Sequence, residues 1–518
     1  MSEKTYIGIT IGPIFNTMNL VSSPAALWAS SYMFSCISKK ICEKILEKGV
    51  NKKDIITPFI NFDESDETET LLADFSKKGI GLFHDRIIFE KGNFDIQDFK
   101  EIRKKVIEEI VSDFKLSEET NPTEFLNNFL LIAAAEFEAE NPIIGSGKIL
   151  DCLELSAPLC YEENINPILY TFSDAYVKNG DEQEYDGKKN KSIINITKGL
   201  GIDDWQLGSN KIKSLPDIAD TSEGGEELKK HSYYAIVRAD GDNMSKIIAS
   251  LKEKDDFNDF SKTCFKYCAG ISNRVREFGG VTIYAGGDDL LALLPCQNGN
   301  GQTVFDFFKT VNEIFNQSFK TYIDAIKMDN EQKKEKDKTP VPTLSIGAFI
   351  SYVKFPLYEA LDESASLLFK NAKSIKNCVA VKLQKHSGQS AGVIIPNEKI
   401  DALIDLQNKV FRGTKSEEEK ERFLLSASQK ISLFSVIFDT VPGDNAENIF
   451  KNTFDNEYQK SFESSINSMV KFFKDIDCEK MKCISDDDDD EKENSKAAIM
   501  EMVLRILKFY TEKRGYKS

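Results

Sequence analysis

The sequence predicts an α+β protein: two units of sheet and helix, helical insertions between them, and a helical carboxy-terminal domain. Three observations predict it. Residues 281–295 read V-T-I-Y-A-G-G-D-D-L-L-A-L-L-P, two β-forming runs around a Gly-Gly pair. That is the pattern of a hairpin whose tight turn needs positive φ. Residues 233–240 read Y-Y-A-I-V-R-A-D, a core strand that ends in a carboxylate. Beyond the hairpin, Val304, Phe308, Val311, Phe315, Phe319 and Tyr322 recur at helical spacing.

Taken in order, residues 5–11 alternate toward a strand that ends at Gly12-Pro13-Ile14. Residues 24–46 form an amphipathic helix with Pro24 at a favoured first-turn position. Strands are expected at 55–60 and 82–89, helices at 96–114 and 122–139, and a less regular stretch to Cys160. The Gly-, Asp- and Lys-rich residues 177–191 read as an exposed loop, and the polar residues 221–230 as a boundary. After the 233–240 strand come helices at 245–251 and 257–278, the hairpin, and a helix near 303–326. A charged linker, 328–338, leads to a strand at 343–351, a helix at 356–373 and a strand at 378–385. The remainder reads as helices at 400–412, 417–438, 455–476 and 497–514, with the acidic run 486–490 as a loop. The implied domains are 1–120, 121–229, 230–392 and 393–518.

Composition narrows the function. With 518 residues and 41% hydrophobic content the chain is long enough for several cored domains. A net charge of −17 argues against a broad, self-sufficient nucleic-acid surface, which needs clustered Lys and Arg. The ten cysteines form no C-x-x-C pair, so they read as reduced thiols and not as a disulfide frame or zinc ribbon. The polar residues 1–5 read as no signal peptide, and the apolar run 129–135 is too short to cross a bilayer. A cytoplasmic protein with no membrane partner is expected.

The chemistry concentrates where the hairpin meets the strand. Asp288 and Asp289 sit at the turn, and Asp240 and Asp242 lie where the chain leaves the 233–240 strand. Adjacent acids at a turn are often only solvated. If strand and hairpin are neighbours, though, three or four carboxylates converge, an arrangement unfavourable without cations. Hard oxygen donors without histidine or thiol suit Mg²⁺ or Mn²⁺.

At these residues the chain resembles a known family. Tyr284-Ala285-Gly286-Gly287-Asp288-Asp289, with Asp240-Gly241-Asp242-Asn243-Met244 upstream, is similar to the second palm of the large polymerase/cyclase-like subunit of type III CRISPR effector complexes. The βααββαβαβ order is that of class III nucleotide cyclases and palm polymerases. Ile11-Gly12-Pro13 and residues 27–32 resemble the opening of the family's first palm, residues 215–218 the lead-in to its second, and His386-Ser387-Gly388 a Ser-Gly beyond the last palm strand. The resemblance implies two ferredoxin-like palm/cyclase domains, the first without a Gly-Gly-Asp-Asp turn and so catalytically silent. It is closest to the type III-B (Cmr) branch, in a form without the histidine-aspartate nuclease domain. Such a nuclease needs several metal-binding histidines, and this chain has only His84, His231 and His386; His84-Asp85 reads as a strand dipeptide.

What the resemblance implies about activity is a metal-dependent nucleotidyltransferase. It would turn ATP into a signalling nucleotide when target RNA is bound. Asp240, Asp288 and Asp289 would hold Mg²⁺ or Mn²⁺, with Gly241 and Asp242 assisting. Gly286 and Gly287 would admit the triphosphate, Lys373 would contact it, and Ser387 would help bind nucleotide. The product would be a cyclic oligoadenylate, or an AMP conjugate with S-adenosylmethionine as acceptor; the absent nuclease raises the second option. A zinc module, common between the palms of relatives, is in doubt. Partners would be the other subunits of a type III complex, with guide and target RNA held mostly by those subunits. Two other readings are a diguanylate-cyclase-like enzyme, whose turn would be Gly-Gly-Asp-Glu-Phe, and a non-catalytic scaffold. The intact aspartate set weighs against the scaffold.

Overall fold

A computed structural model describes residues 4–19, 23–60, 78–116, 118, 121–155, 168, 214–221, 229–411, 415–436, 443–454, 460–484 and 494–512. The sequence features at 177–191, Cys160 and 486–490 lie outside the described residues.

Period-2 alternation builds the first sheet, whose order is β2-β3-β1-β4. Its strands are β1 (Lys4–Gly12), β2 (Ile55–Thr57), β3 (Arg86–Glu90) and β4 (Leu131–Ala139). One face, with Ile7, Ile9, Ile87 and Phe89, packs under α2 (Pro24–Glu47) and α3 (Asp98–Asp113) after the short α1 (Ile14–Asn19). The other face, with Tyr6, Ile88 and Phe137, turns toward the second unit.

The helix expected over 122–139 is corrected here. The helix α4 is Pro122–Phe129, and the following residues form β4, paired with β1 from Lys4↔Ala139 to Gly12↔Leu131. An alanine-rich stretch favours helix, but propensity is a weak prior and the β1 edge supplies a ladder along its whole length. The first unit therefore runs past residue 120, through α5 (Pro142–Glu154), which packs on β4 and β1.

The second sheet has the order β11-β10-β9-β8-β5-β7-β6. Its strands are β5 (Tyr233–Asp242), β6 (Val281–Gly286), β7 (Asp289–Pro295), β8 (Thr343–Tyr352), β9 (Cys378–Gln384), β10 (Ser390–Pro396) and β11 (Lys482–Cys483). β5 lies at its centre, antiparallel to both β7 and β8, and β9 runs parallel to β8. Alternate residues of β5 enter opposite cores: Ala235, Val237 and Ala239 one, Tyr234 and Ile236 the other. On the first side lie α7 (Met244–Ser250), α8 (Lys254–Glu277), α9 (Val304–Ser318) and α10 (Lys320–Glu331). On the second lie the first unit, the short α6 (Leu215–Ala219) and α11 (Leu357–Ser366).

The boundary expected at 392 falls inside β10. A turn with Gly388 at φ 84° reverses the chain, and the apolar run after it adds a strand, so the sheet continues to Pro396. Five helices of the carboxy-terminal region are described: α12 (Ile400–Phe411), α13 (Glu417–Leu433), α14 (Gly443–Asn452), α15 (Glu463–Lys474) and α16 (Lys496–Phe509). α16 lies on β10 and α13, and its Phe509 ring stands 4.8 Å from Tyr233.

The two units are joined by polar struts. Lys254 bonds Asp54 and reaches Glu90 at 3.1 Å, and Asn141 Nδ2 donates to the Ile248 carbonyl at 2.7 Å. Phe59 meets Phe265 with ring centroids 5.8 Å apart. No described helix is long and apolar enough to cross a membrane.

Candidate active site

The site forms where β5 and the β6–β7 hairpin end together. The register pairs Ala239 with Leu290, so Asp240 and Asp289 follow as the next opposite residues and share a face. Gly286 pairs with Asp289, which leaves Gly287-Asp288 as a two-residue turn. Gly287 has φ 66° and Asp288 is not in the left-handed region, the arrangement of a II′ turn.

The glycines have separate jobs. A Cβ on Gly241 would lie 2.6 Å from Asp288 Oδ2, so the bare backbone is what lets that carboxylate reach β5. A Cβ on Gly286 would lie 2.5 Å from the Tyr284 hydroxyl and 3.2 Å from His84 Cβ, whereas one on Gly287 would meet nothing. Gly286 is a packing residue, and Gly287 keeps the open side of the turn.

Lys373 arrives from the other side of β5. After α11 the chain widens into a π-helical turn, Leu367–Ala372, that lies directly on β8. Gly347 permits this, since its Cβ would stand 2.4 Å from the Leu368 amide nitrogen. Lys373 Nζ then donates to the Gly241 carbonyl at 2.7 Å and lies 2.8 Å from Asp240 Oδ2 and 3.2 Å from Asp242 Oδ1. Asp242 itself is 1% exposed and already satisfied. Its oxygens accept from Thr343 Oγ1 at 2.9 Å, Ser345 Oγ at 2.8 Å and the Asn377 amide at 2.9 Å. It ties β5 to β8 and to the start of β9.

The electrostatics follow from crowding. Burial first, then the Asp240 charge, push the Asp288 carboxyl up to about 7, with Lys373 pulling the other way. Asp288 also shares a hydrogen bond with Asp240. Burial, then Asp288 and Asp240, hold Asp289 well above the ordinary carboxylate range. Burial opposes the Lys373 charge, but Asp240 and Asp242 outweigh it and keep the ammonium protonated. Carboxylates this close relieve their repulsion only with a proton or a cation.

Three residues join the site that sequence reasoning did not place there. His84 and Asp85 are not strand residues; they precede β3 and face the turn. Trp28 Nε1, which donates to the Gly79 carbonyl at 2.6 Å, and Ser35 Oγ, which accepts from the Phe83 amide at 3.0 Å, pin their segment to α2. Burial and Arg86 push His84 down to about 4, so its ring is neutral, and it bonds Thr57 Oγ1 at 2.7 Å. The third is Arg238, two residues before Asp240 and on the same face. It was readable as a charged residue inside an apolar strand. Burial lowers it to about 10, against Asp289 and Asp362, and it stays charged at neutral pH. A cavity of about 240 Å³ behind the turn includes His84, Asp85, Asp288 and Asp289 in its lining. A second, of about 420 Å³ between the two units, reaches Asp85, Arg238 and Asp289.

Ser387 is not part of this assembly. β9 runs parallel to β8, with Ser351↔Gln384 at its end, so the β9–β10 turn lies at the opposite end of the sheet. There His386 donates its amide to the Tyr233 hydroxyl at 3.0 Å. Tyr233 is seven residues of β5 from Asp240, roughly 23 Å away.

Known proteins resemble this part of the chain. Residues 233–380 match the family described as Cas10/Cmr2, second palm domain. The CRISPR system Cmr subunit Cmr2 of Pyrococcus furiosus is 28% identical over 212 residues, 35% of this chain. The second sheet and its helices are thus similar to a Cas10/Cmr2 second palm domain. The match to Cmr2 spans 22% of that relative's length. Across nearly the whole chain the fold is Cas10-like. It is similar to type III-B Cmr-beta in the apo state, with TM-score 0.57, 13% identity, and 99% of this chain and 82% of that one covered. It is also similar to a Csm1–Csm4 cassette in complex with cA4, with TM-score 0.53, 13% identity, and 90% and 69% covered.

The second sheet carries Asp240, Asp288 and Asp289 at one end of its strands. Their oxygens suit a hard divalent ion in kind. In the arrangement described, Asp240 is engaged by Lys373, and among the described residues no three His, Cys, Asp or Glu side chains are grouped to hold a metal ion. An ion on Asp240 Oδ2 would compete with Lys373 for that oxygen. The neighbouring thiols of Cys264 and Cys268 are raised by burial and stay protonated, so they are no rivals as ligands.

Proposed function

We propose that this chain is the large subunit of a type III CRISPR effector complex, and that it converts ATP into a signalling nucleotide once the complex holds target RNA. The supporting observation is the meeting of Asp240 with Asp288 and Asp289, the last two held above the ordinary carboxylate range, at a turn with an open glycine and a protonated lysine. Asp240, Asp288 and Asp289 would hold Mg²⁺ or Mn²⁺, which supplies charge neutralisation at the α-phosphate and pyrophosphate. Gly287 leaves room for the triphosphate beside the turn. Lys373, released from Asp240, moves its ammonium onto the phosphates. Asp242 holds β5 and β8 in place beneath them. A ribose 3′-hydroxyl of the acceptor forms the new oxygen–phosphorus bond, the bond from the α-phosphate to pyrophosphate breaks, and the hydroxyl proton passes to solvent.

With a second ATP as acceptor the product is an oligoadenylate, in line with the cA4 held by the Csm1–Csm4 cassette. The alternative acceptor is S-adenosylmethionine, a cation at its sulfur. The carboxylates of Asp85 and Asp289 in the inter-palm cavity favour that reading. The other subunits of the complex would carry most of the RNA contact, as expected for a chain of net charge −17. Pyrophosphate release from ATP tests the proposal. Wild-type complex should release it with Mn²⁺ and target RNA, and Asp288→Ala/Asp289→Ala should not; equal release by both would overturn the assignment.

A further inference from the structure

Left-handed backbone outside glycine is concentrated at one joint of the second sheet. Among the described residues five non-glycine positions have positive φ. Three of them, Asn243, Lys376 and Asn377, at 58°, 68° and 51°, meet where β5 has ended and β9 is about to begin. Asparagine visits that region readily because its short amide bonds locally. Lys376 is the outlier: with ψ at 160° it occupies backbone space that is otherwise glycine's. A lysine there is strained, and it stays only while its surroundings hold it.

Three contacts do the holding. Lys376 Nζ donates to Asn243 Oδ1 at 2.8 Å, and the Asn377 amide donates to Asp242 Oδ2 at 2.9 Å. The outer brace is Asn397, the first residue after β10. Its backbone amide donates to the Asn377 carbonyl at 2.9 Å. Its Nδ2 donates to Asn377 Oδ1 at 3.0 Å and to the Leu344 carbonyl of β8 at 2.7 Å. The Lys376–Asn243 bond is exposed and competes with water, so the Asn397 brace supplies the firmer restraint.

The joint lies immediately downstream of Lys373. The Lys376 amide donates to the Ala372 carbonyl at 2.7 Å, closing the helical turn that carries Lys373. While the joint is held, Lys373 Nζ stands 2.8 Å from Asp240 Oδ2. A return of Lys376 to ordinary negative φ would swing the chain that leaves this turn and loosen the turn itself.

We propose that Asn397 is a positioning residue for Lys373: it holds Lys376-Asn377 as a strained joint, and relaxation of that joint draws Lys373 away from Asp240. In nucleotidyl transfer the strain offsets part of the cost of moving the ammonium from Asp240 to the phosphates. That use rests on the function proposed above, whereas the coupling of Asn397 to Lys373 does not.

Amine acylation of the full chain in EDTA, with the rate at each lysine read by peptide mass spectrometry, tests the coupling without metal, nucleotide or turnover. Lys382, 7% exposed on β9 and paired with Glu363, reports any general loosening. Paired as it is, Lys373 should react slowly in wild type. Asn397→Ala should speed Lys373 about 10-fold and leave Lys382 unchanged. Lys376→Gly alone should keep Lys373 slow and raise the melting temperature, because glycine adopts that backbone without strain. Combining Lys376→Gly with Asn397→Ala leaves no strain to relax, so Lys373 should return toward its wild-type rate. Plain loss of packing at Asn397 would instead leave the double variant fast. If Asn397→Ala fails to fold, Asn397→Asp keeps the size and the backbone bond, loses both Nδ2 donations, and is read the same way. An unchanged Lys373 in the Asn397 variant, equal acceleration of Lys373 and Lys382, or no rescue by Lys376→Gly overturns the proposal. A complex that shows the coupling but makes no product would fail as a transferase while keeping Asn397 in its positioning role.

Discussion

Lys373 and Asp240 form an ion pair of 2.8 Å at the edge of the central strand, with the lysine also donating to the Gly241 carbonyl at 2.7 Å. One ammonium therefore competes with a divalent ion for Asp240 Oδ2, and in the proposed reaction the same side chain contacts the triphosphate.

Replacing Lys373 separates those two roles. Lys373→Met should tighten Mn²⁺ binding in the absence of nucleotide, because the competing cation is gone. It should also lower kcat/KM for ATP by about 100-fold or more through lost phosphate contact. Electron paramagnetic resonance titration of Mn²⁺ beside steady-state kinetics reads both. Weaker Mn²⁺ binding in the variant would refute the competition.

The raised carboxyl of Asp288 makes a statement about pH. Its folded value is about 7 against an ordinary 3.8, so between the two the folded chain keeps a proton that the unfolded chain has lost. Stability relative to a neutral side chain therefore falls as pH rises through that window, and the loss is complete above pH 7. In EDTA, Asp288→Asn should melt above wild type at pH 8, with the gap shrinking toward pH 4. Divalent-ion binding to wild type should release protons and tighten as pH rises through 7. A gap that ignores pH would show that Asp288 is not crowded.

Asp242 belongs to the framework, although its place in the motif suggested a part in binding. Thr343, Ser345 and the Asn377 amide all spend hydrogen bonds on it inside the sheet. Asp242→Ala should destabilise by about 3 kcal/mol or more, since it strands buried donors. Asp288→Ala should not destabilise, and denaturant unfolding of the two variants distinguishes them.

Gly241 and Gly347 are both close-approach glycines with different neighbours. The Cβ of Gly241→Ala meets the Asp288 carboxylate and the flexible Met244 side chain, at 2.6 and 2.7 Å. Turnover should drop about 100-fold with little change in melting temperature. The Cβ of Gly347→Ala meets the backbone of Leu368 at 2.4 Å, which cannot step aside. It should cost about 1–3 kcal/mol of stability as well as activity, by displacing the turn that leads to Lys373. Melting curves and turnover for both variants check the contrast.

The hairpin was legible because a Gly-Gly pair between apolar runs has few other uses, and Asp240 was legible because strand and turn had to be neighbours for the carboxylates to matter. The seven-stranded sheet was largely readable as far as Gln384, since each element carried its own periodicity. β4 was not, because its alanines favour helix and only the β1 edge makes them a strand. His84 and Asp85 were hidden for a related reason: their role arises when two units close on each other, and no local pattern reports that contact, whereas Arg238 left a trace as a charge inside an apolar strand. Ser387 was assigned from a motif and not from register, and the parallel β8–β9 pairing carries it to the wrong end of the sheet. The π-helical turn was also unreadable, since one extra residue per turn leaves no mark on a helical pattern.

The most direct measurement assembles the complex with guide and target RNA, supplies ATP and Mn²⁺ with and without S-adenosylmethionine, and identifies the products by mass spectrometry. The account predicts an adenylate product from wild type, either oligoadenylate from ATP alone or an AMP conjugate that needs S-adenosylmethionine, and none from Asp288→Ala/Asp289→Ala. The same product from the double variant, or no product from wild type with either acceptor, would contradict it.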